Sequence, residues 1–587
     1  MKKTMDKTKI IPIFYACDDA FVKYTIVSIK SLIDNASKDY YYKIYILNTG
    51  VSKKMIEETE KLATENAEII FADIRGKVEK TGDLPLRDYY SKSTYFRFYI
   101  SELYPEYDKA LYVDSDTVVL GDIAKLYSTD IQNYYVGACN EQAMVQTDVY
   151  GTYVERVLGI DRNNYFNAGV MLINCKAFRE NCVLKEFLRL LGVYSFVVTQ
   201  DEDYLNVICK DKVFWLSPAW NVEVYGELPV KEEDIKIIHY IMVSKPWHFH
   251  DCRLKEHFWN YAKKTSVYNE ILTVLENYTD EQRQLDIKSG EKLAETAKYE
   301  SERLDSYINL ISSPAPDRLK VLEKIRLYEK QGKFDVDVED DPETIVLQPD
   351  KVDYLAKKFS TRVFTKIANR LATLYYEKEI KKQNMIIKEV IGLENYKSVK
   401  GGCFITCNHF SVYDNYAVWR AIKGEFKRGK RLYKIIREGN YTNFKGLYGF
   451  FFRHCNTLPL SSNTETMKNF LKAVDTLIER GETILIYPEQ AMWWNYKKPR
   501  PLKNGAFKFA SKCNCPIVPA FITMENSLKK DGAGYDIPAY TIWFLPPIYP
   551  KKELSVKENT EYLKNENYRV WKELYERVYG ETLRYGE

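Results

Sequence analysis

Short apolar runs alternate with amphipathic helical periodicity through roughly the first 260 positions of this 587-residue chain. IIPIFYAC, YYKIYILNTG, AEIIFADI and KALYVDSDTVV read as strands, with VKYTIVSIKSLIDNA and SKKMIEETEKLATENA as helices between them. That alternation predicts a parallel α/β sheet with ligands at the C-terminal ends of its strands. From Asn269 to Gln331 the chain turns charged and helical, broken at Pro314 and Pro316. The acidic stretch GKFDVDVEDDPETIVLQPDKVDYL then reads as a linker. A long amphipathic helix, KKFSTRVFTKIANRLATLYYEKEIKKQ, restarts the pattern, and the strands GGCFITCN, RLYKIIRE, ETILIYPE, CPIVPAFI and AYTIWFLPPIY follow. The second half is α/β again, and VPAFI reads as a core strand that Pro519 places near an edge or end.

Length changes this picture only by requiring more than one core, because single domains rarely exceed about 250–300 residues. We therefore expect an N-terminal domain over 8–265, a helical region with acidic linker over 266–350, and a C-terminal domain over 351–587. A net charge of +4 without a basic tail or RNA-binding signature argues against a nucleic-acid partner. The runs Lys423–Arg437 and Asn495–Lys503 concentrate cations in the second half, where they offer a surface to anionic lipid or to carrier phosphates. An odd count of 11 scattered cysteines speaks for a reducing compartment. The N-terminal apolar run is short, broken by Pro12, and followed by Asp18 and Asp19, so it reads as a strand rather than a signal peptide. No window reaches the ~20 apolar residues of a membrane span. Together these predict a cytoplasmic chain whose membrane contact is peripheral, at the inner-membrane surface.

Candidate chemistry in the first half starts at Asp114 and Asp116, which close the strand Leu111–Val113. Residues two apart in extended chain point to one side, so the pair makes an oxygen site for a hard divalent cation. The first ~250 residues resemble the family 8 retaining glycosyltransferases. The resemblance is carried, in order, by YACDDAFVKYTIVSIKSL, STYFRFYISELYPEYDKALYVDSDTVV, YFNAGVMLIN, DEDYLN and IHYIMVSKPWH. It implies a GT-A, Rossmann-like nucleotide-sugar domain in which Asp114, Asp116 and His239 hold Mn²⁺ (or Mg²⁺) against the diphosphate of a UDP-sugar. It further implies that Lys245 meets the phosphates, Asp18 lies near the base, and Arg97, Asn167, Gly169 and Asp201 serve the donor sugar. Where the family often has Gln this chain has Glu202, a candidate catalytic carboxylate placed either to stabilise an oxocarbenium-like centre or to act as a nucleophile. Ala20 and Met242 depart from the family pattern too. His248 and His250 read as structural or acceptor-side residues. No prosthetic group is implied.

In the second half His409 stands just past the strand CFITCN, with Asp414 five residues on. An aspartate that accepts one imidazole N–H leaves the other ring nitrogen free to take a proton from a hydroxyl. NHFSVYD, LYGFFFRHCNTLPLSSN, GETILIYPEQ and LKNGAFKFASKCNCPIVPAFI resemble, over about 385–550, the glycerolphosphate acyltransferases of lysophosphatidic acid acyltransferase type. The resemblance implies a second α/β domain in which His409 is the general base, Asp414 orients it, and Glu489 binds the acceptor. The acyl donor is acyl-CoA or acyl carrier protein. The family's second motif ends in Arg where this chain has Leu460-Ser461-Ser462, and its Glu-Gly-Thr-Arg is replaced by Glu489 followed by Gln-Ala-Met-Trp-Trp. Lys503, Arg500 and Arg453 are the candidates to replace those phosphate-reading arginines. Otherwise the acceptor is a sugar or glycolipid hydroxyl, with Trp493 and Trp494 stacking on it or sitting at a lipid interface.

The sequence therefore predicts a bifunctional transferase. One half moves a hexose (glucose or galactose) from a UDP-sugar to a glycan or lipid acceptor, and the other acylates a hydroxyl of a glycerolipid or glycolipid. The alternative is one active glycosyltransferase whose acyltransferase-like half serves only membrane or lipid binding.

Overall fold

The computed structural model describes residues 9–78, 92–341, 343–426 and 430–586. Of the basic run Lys423–Arg437, Lys427, Arg428 and Gly429 thus lie outside the described residues. The chain divides into two compact units, one ending at Ser312 and the other beginning at Ser313.

The first unit is built on a seven-stranded sheet of order β3-β2-β1-β4-β7-β6-β8. Its strands are β1 (Ile10–Ala16), β2 (Tyr41–Asn48), β3 (Ala67–Asp73), β4 (Ala110–Val113), β6 (Val136–Ala138), β7 (Val170–Ile173) and β8 (Val213–Trp215). The four strands β3-β2-β1-β4 are parallel, as the apolar runs predict, and β7 then pairs antiparallel with both β4 and β6. β1 is buried along almost its whole length, the mark of an interior parallel strand covered on both faces. Pro12 is tolerated inside it because the short β4 reaches only Ile13 and Phe14, so no ladder bond on that side is lost. A second, three-stranded sheet joins β5 (Thr117–Val119), β10 (Ile237–His239) and β9 (Val222–Glu223).

KALYVDSDTVV is therefore two strands in two sheets, not one. Asp114 and Asp116 sit in the tight turn between them, closed by the Thr117 hydroxyl donating to the Asp114 carbonyl at 2.9 Å. The two carboxylates converge through this turn rather than through the pleat of an extended strand.

The charged helical region is shared out between the units. The helix Tyr268–Asn277 inserts Ile271 into the first core. Within the helix Asp280–Glu302, which a Thr279 capping box starts, Glu300 accepts the Tyr194 hydroxyl at 2.8 Å. Tyr307, in the short helix Tyr307–Ser312, packs edge-on against Phe196. The helix Pro316–Lys330 belongs instead to the second unit, where Val321 and Ile325 pack with Trp493.

The second unit has a seven-stranded sheet of order β11-β17-β16-β12-β15-β13-β14. The strands are β11 (Ile386–Ile391), β12 (Cys403–Thr406), β13 (Leu432–Ile436), β14 (Thr457–Pro459), β15 (Thr483–Ile486), β16 (Ile517–Lys530) and β17 (Asp536–Phe544). All pairs are parallel except β16 with β17. The helices Phe359–Lys381, Asp414–Ile422 and Gly446–His454 cover one face. Those of Thr464–Glu479, Gly505–Lys512 and Val556–Tyr579 cover the other. β16 is interior, and Pro519 fits there because it is the third residue of the strand, opposite the last residue of β12. Among the described residues no helix is long and apolar enough to cross a membrane.

Candidate active sites

In the first unit, the turn after β4 and the end of β10 bring Asp114, Asp116 and His239 together, with one ligand atom from each lying within 4.8 Å of the others. His239 Nε2 stands 3.3 Å from Asp116 and 3.9 Å from Asp114, while Asn221 Oδ1 meets its Nδ1 at 3.1 Å. The Asn221 amide oxygen is an acceptor, so it selects the tautomer with the proton on Nδ1 and leaves Nε2 as a ligand atom. Lys245 reaches Asp116 at 2.6 Å, and its ammonium also donates to the Tyr240 carbonyl. Burial acting on Asp116 would raise its pKa, but Lys245 and His239 outweigh it and hold the carboxyl well below the usual range. Gly169 closes the site from the other side. A Cβ there would stand 2.2 Å from His239 Cε1 and 2.8 Å from Asp114 Oδ2. Two carboxylates, an imidazole and a residue with no side chain to intrude fit a divalent first-row cation.

Arg97 is fully buried beside this cluster. It pairs with Asp114 at 3.1 Å and Asp201 at 3.2 Å, and lies 4.3 Å from the centre of the Tyr112 ring, whose hydroxyl also donates to Asp114. Burial raises the Asp201 pKa to about 6 against the pull of Arg97. The neighbouring Glu202 accepts the Ala168 N–H at 2.8 Å, and burial together with Glu141 pushes its carboxyl well above the ordinary range. Gln200, just before them, holds a left-handed φ of 56° that positions the start of the helix Asp201–Ile208. Asn167 donates to Glu141 and accepts from Gly169 N and Asn221 Nδ2, both at 2.8 Å. Asp18 caps its own turn, accepting from the N–H groups of Ala20 and Phe21 at 3.1 Å.

Sequence reasoning missed Glu141, Asn221, Glu223 and Tyr112. Glu223 is fully buried, with its pKa raised by burial and by Glu141. Glu141 also accepts the Asn167 side-chain N–H, so these carboxyls cluster behind Asn167. No spacing ties these positions together, and only Tyr112, two residues before Asp114, carried a local signal.

In the second unit, β12 ends at Thr406 and delivers Asn408 and His409 to the C-terminal edge of the sheet. Asn408 clamps the strands there, donating to the Ile522 carbonyl at 3.0 Å and accepting its N–H at 2.8 Å. His409 Nδ1 meets Asp414 Oδ2 at 2.7 Å. Asp414, completely buried, is fixed by the N–H groups of Phe410 and Ser411 and by the Tyr487 hydroxyl at 2.6 Å. The Tyr487 ring stacks on the imidazole at 4.0 Å. Asp414 thus sets the ring plane and the tautomer and leaves Nε2 free of that bond. His409 lines a cavity of about 790 Å³, with apolar walls that include Tyr376, Phe451 and Phe509.

Glu489 faces away from the acceptor space. It is 3% exposed, pairs with the equally buried Arg500 at 3.0 Å, and accepts the His409 N–H at 3.1 Å and the Arg500 N–H at 2.8 Å. Glu489 positions the His409 backbone in this structure and is not presented to a ligand. Arg500 is spent on that pair, Lys503 reaches Asp335 at 2.9 Å, and Arg453 donates to the carbonyls of Tyr441 and Phe444. Trp493 is core rather than a stacking platform, with its Nε1 donating to the Val336 carbonyl, and Trp494 lies 3.9 Å from Arg318.

Residues 12–251 match the family model described as Glycosyl transferase family 8, and residues 388–523 match the model described as Acyltransferase. A putative glycosyltransferase of Haemophilus influenzae is 28% identical over 261 residues, 43% of this chain and 77% of its own length. A lipopolysaccharide 1,2-glucosyltransferase of Escherichia coli K12 is 25% identical over 264 residues, 42% of this chain and 75% of its own. The crystal structure of a galactosyltransferase with donor and acceptor sugar analogues aligns at 25% identity and a TM-score of 0.38, covering 44% of this chain and 96% of that one.

Proposed function

We propose that this chain, a transferase that carries a family 8 glycosyltransferase domain followed by an acyltransferase domain, catalyses two separate group transfers. The first moves a hexose, glucose or galactose, from a UDP-sugar to a glycan or lipid acceptor with retention. The likeness to a lipopolysaccharide glucosyltransferase favours a hexose and a glycolipid. The observation that carries this half is the Asp114–Asp116–His239 cluster with Arg97 and Lys245 beside it. Asp114, Asp116 and His239 would hold Mn²⁺, which when bound would neutralise charge on the diphosphate as a Lewis acid. Lys245 serves the phosphates as a point charge. Arg97, Asn167 and Asp201 orient the sugar, Gly169 admits it to the metal side, and Asp18 lies on the base side. Glu202, whose pKa is raised by burial and by Glu141, faces the sugar-binding turn, where its carboxyl accepts the Ala168 N–H.

In the second transfer His409 Nε2 takes the proton of an acceptor hydroxyl while that oxygen attacks the thioester carbonyl of acyl-CoA or acyl carrier protein. The tetrahedral centre collapses, the C–S bond breaks, and the proton passes to the departing thiolate. The carrying observation is the 2.7 Å bond between His409 and the buried Asp414, opening on the apolar cavity. An anionic membrane surface on the cytoplasmic side supplies the lipid. Phe359, Val363, Ile367, Leu371 and Leu374 form one exposed stripe on the helix Phe359–Lys381, with Lys358, Arg362, Lys366 and Arg370 on the same helix or at its start. Asn369, Ala372 and Tyr376 of that helix line the cavity. The basic runs proposed from the sequence serve less well, since Arg437, Lys498, Arg500 and Lys503 are all paired with carboxylates. Co-expression of the full chain with radiolabelled UDP-hexose and acyl-CoA pools, followed by lipid analysis, tests the reading. A lipid product carrying both labels, or each separately, supports it, and neither label in any product defeats it.

A further inference from the structure

The segment Phe334–Asp341, which reads as linker in the sequence, lines the same cavity as His409 through Asp337, Glu339 and Asp341. It is held there firmly. Val338 is buried against Trp493, the Val336 carbonyl accepts the Trp493 N–H at 3.1 Å, and Phe334 packs on Tyr585 at 4.6 Å. Its carboxylates engage cations of the cavity wall. Asp337 and Asp341 both pair with Arg437, the latter at 3.0 Å, and Asp335 pairs with Lys503 at 2.9 Å. Among the described cavity-lining Lys and Arg residues this leaves Lys434, within β13, while Arg437 follows the end of that strand. Burial lowers its pKa.

The two motif positions where this chain departs from arginine point the same way. Ser461 and Ser462 give their hydroxyls to Glu438 at 2.6 and 2.9 Å, and Met492 presents an apolar side chain to the cavity. A phosphate monoester carries a charge of about −1.5 to −2. To bind beside His409 it would have to strip Arg437 from two aspartates or lie against them. Repulsive groups placed against a competing ligand are a common source of specificity.

We propose that this acidic strap sets the acceptor class of the second site, excluding phosphate monoesters and admitting hydroxyl acceptors without a phosphate, such as a neutral glycolipid or acylglycerol. The proposal rests on the acyl-transfer reading above and names its substrate class. It is tested on the full chain with two matched acceptors, 1-monoacylglycerol and the same lipid bearing a 3-phosphate, with palmitoyl-CoA as donor. The wild type is expected to prefer the neutral lipid in kcat/KM by about 10-fold or more, and the Asp337→Asn/Asp341→Asn double variant to shift that ratio toward the phosphate ester by about 10-fold, the scale of one lost charge contact. Binding of dodecyl phosphate and dodecyl glucoside, followed by calorimetry, reads the same contrast without turnover, and the wild type alone suffices for it. Equal or tighter binding of dodecyl phosphate by the wild type, or an acceptor ratio favouring the phosphate ester, overturns the proposal. Failure of the underlying reading looks different, because acyl transfer would then be absent or would persist in His409→Ala while the binding contrast stood.

Discussion

At Gly169 one methyl group decides whether Asp114 and His239 can stay where they are. The Cβ of an alanine would meet His239 Cε1 at 2.2 Å and Asp114 Oδ2 at 2.8 Å, closer than such atoms approach, so these side chains themselves would have to shift. Gly169→Ala is expected to cut sugar-nucleotide turnover by about 100-fold or more, since misplacement of about 1 Å costs that much. Turnover within a few-fold of wild type would show that the site does not use this geometry. In the other unit, Asp414→Asn keeps the shape of the dyad but offers the imidazole the wrong partner. Acyl transfer should fall by about 10⁴, the cost of that change in a serine triad, and steady-state kinetics with a fixed acceptor checks it. The Asp114–Asp116 and His409–Asp414 pairs were legible as clusters because they sit in compact local patterns. Asp114 and Asp116 flank one residue, and His409 and Asp414 share one loop. Glu141, Asn221 and Glu223 were not, because burial beside Asn167 joins them and no sequence spacing does. The inward turn of Glu489 was invisible for the same reason, since its partner Arg500 becomes a neighbour only when the loop folds back.

At the scale of elements, the Glu489–Arg500 pair staples the loop after β15 to the strand end carrying His409. Removing one partner of a buried pair strands a charge and costs about 3–5 kcal/mol. Arg500→Met should therefore lower the denaturant midpoint of the second unit by an equivalent amount while sugar-nucleotide turnover persists, and a change confined to acceptor KM would return Glu489 to a binding role. The stripe on the helix Phe359–Lys381 gives another test. Leu371→Asp with Leu374→Asp should reduce co-sedimentation with anionic vesicles by about 10-fold or more, as two apolar contacts worth ~1.5–3 kcal/mol each are lost, and unchanged binding would remove that helix from the lipid surface. Long periodic elements such as this helix were plain in the sequence. The three-residue β14 was hidden, because a run that short has no period to detect, and the break between β4 and β5 was hidden because both sides are apolar.

At the scale of the whole molecule, two alternating α/β patterns announced two sheets. What the pattern could not assign was the polar stretch between them, because charged helices carry little information about which core they cover. Tyr194 and Phe196 bind Glu300 and Tyr307 into the first unit, while Trp493 draws Val321, Ile325 and Val338 into the second. The cores are separate and each site is completed within its own unit. That independence is the central claim, and it is tested most directly by assaying sugar-nucleotide turnover and thioester-dependent acyl transfer side by side in full-length Asp114→Ala and His409→Ala. Each substitution should abolish its own reaction by about 100-fold or more, the scale of losing a catalytic base or a ligand to the reaction's charge, and leave the other reaction near wild type. Loss of both reactions from either single substitution would contradict it, as would normal sugar-nucleotide turnover in Asp114→Ala or undiminished acyl transfer in His409→Ala.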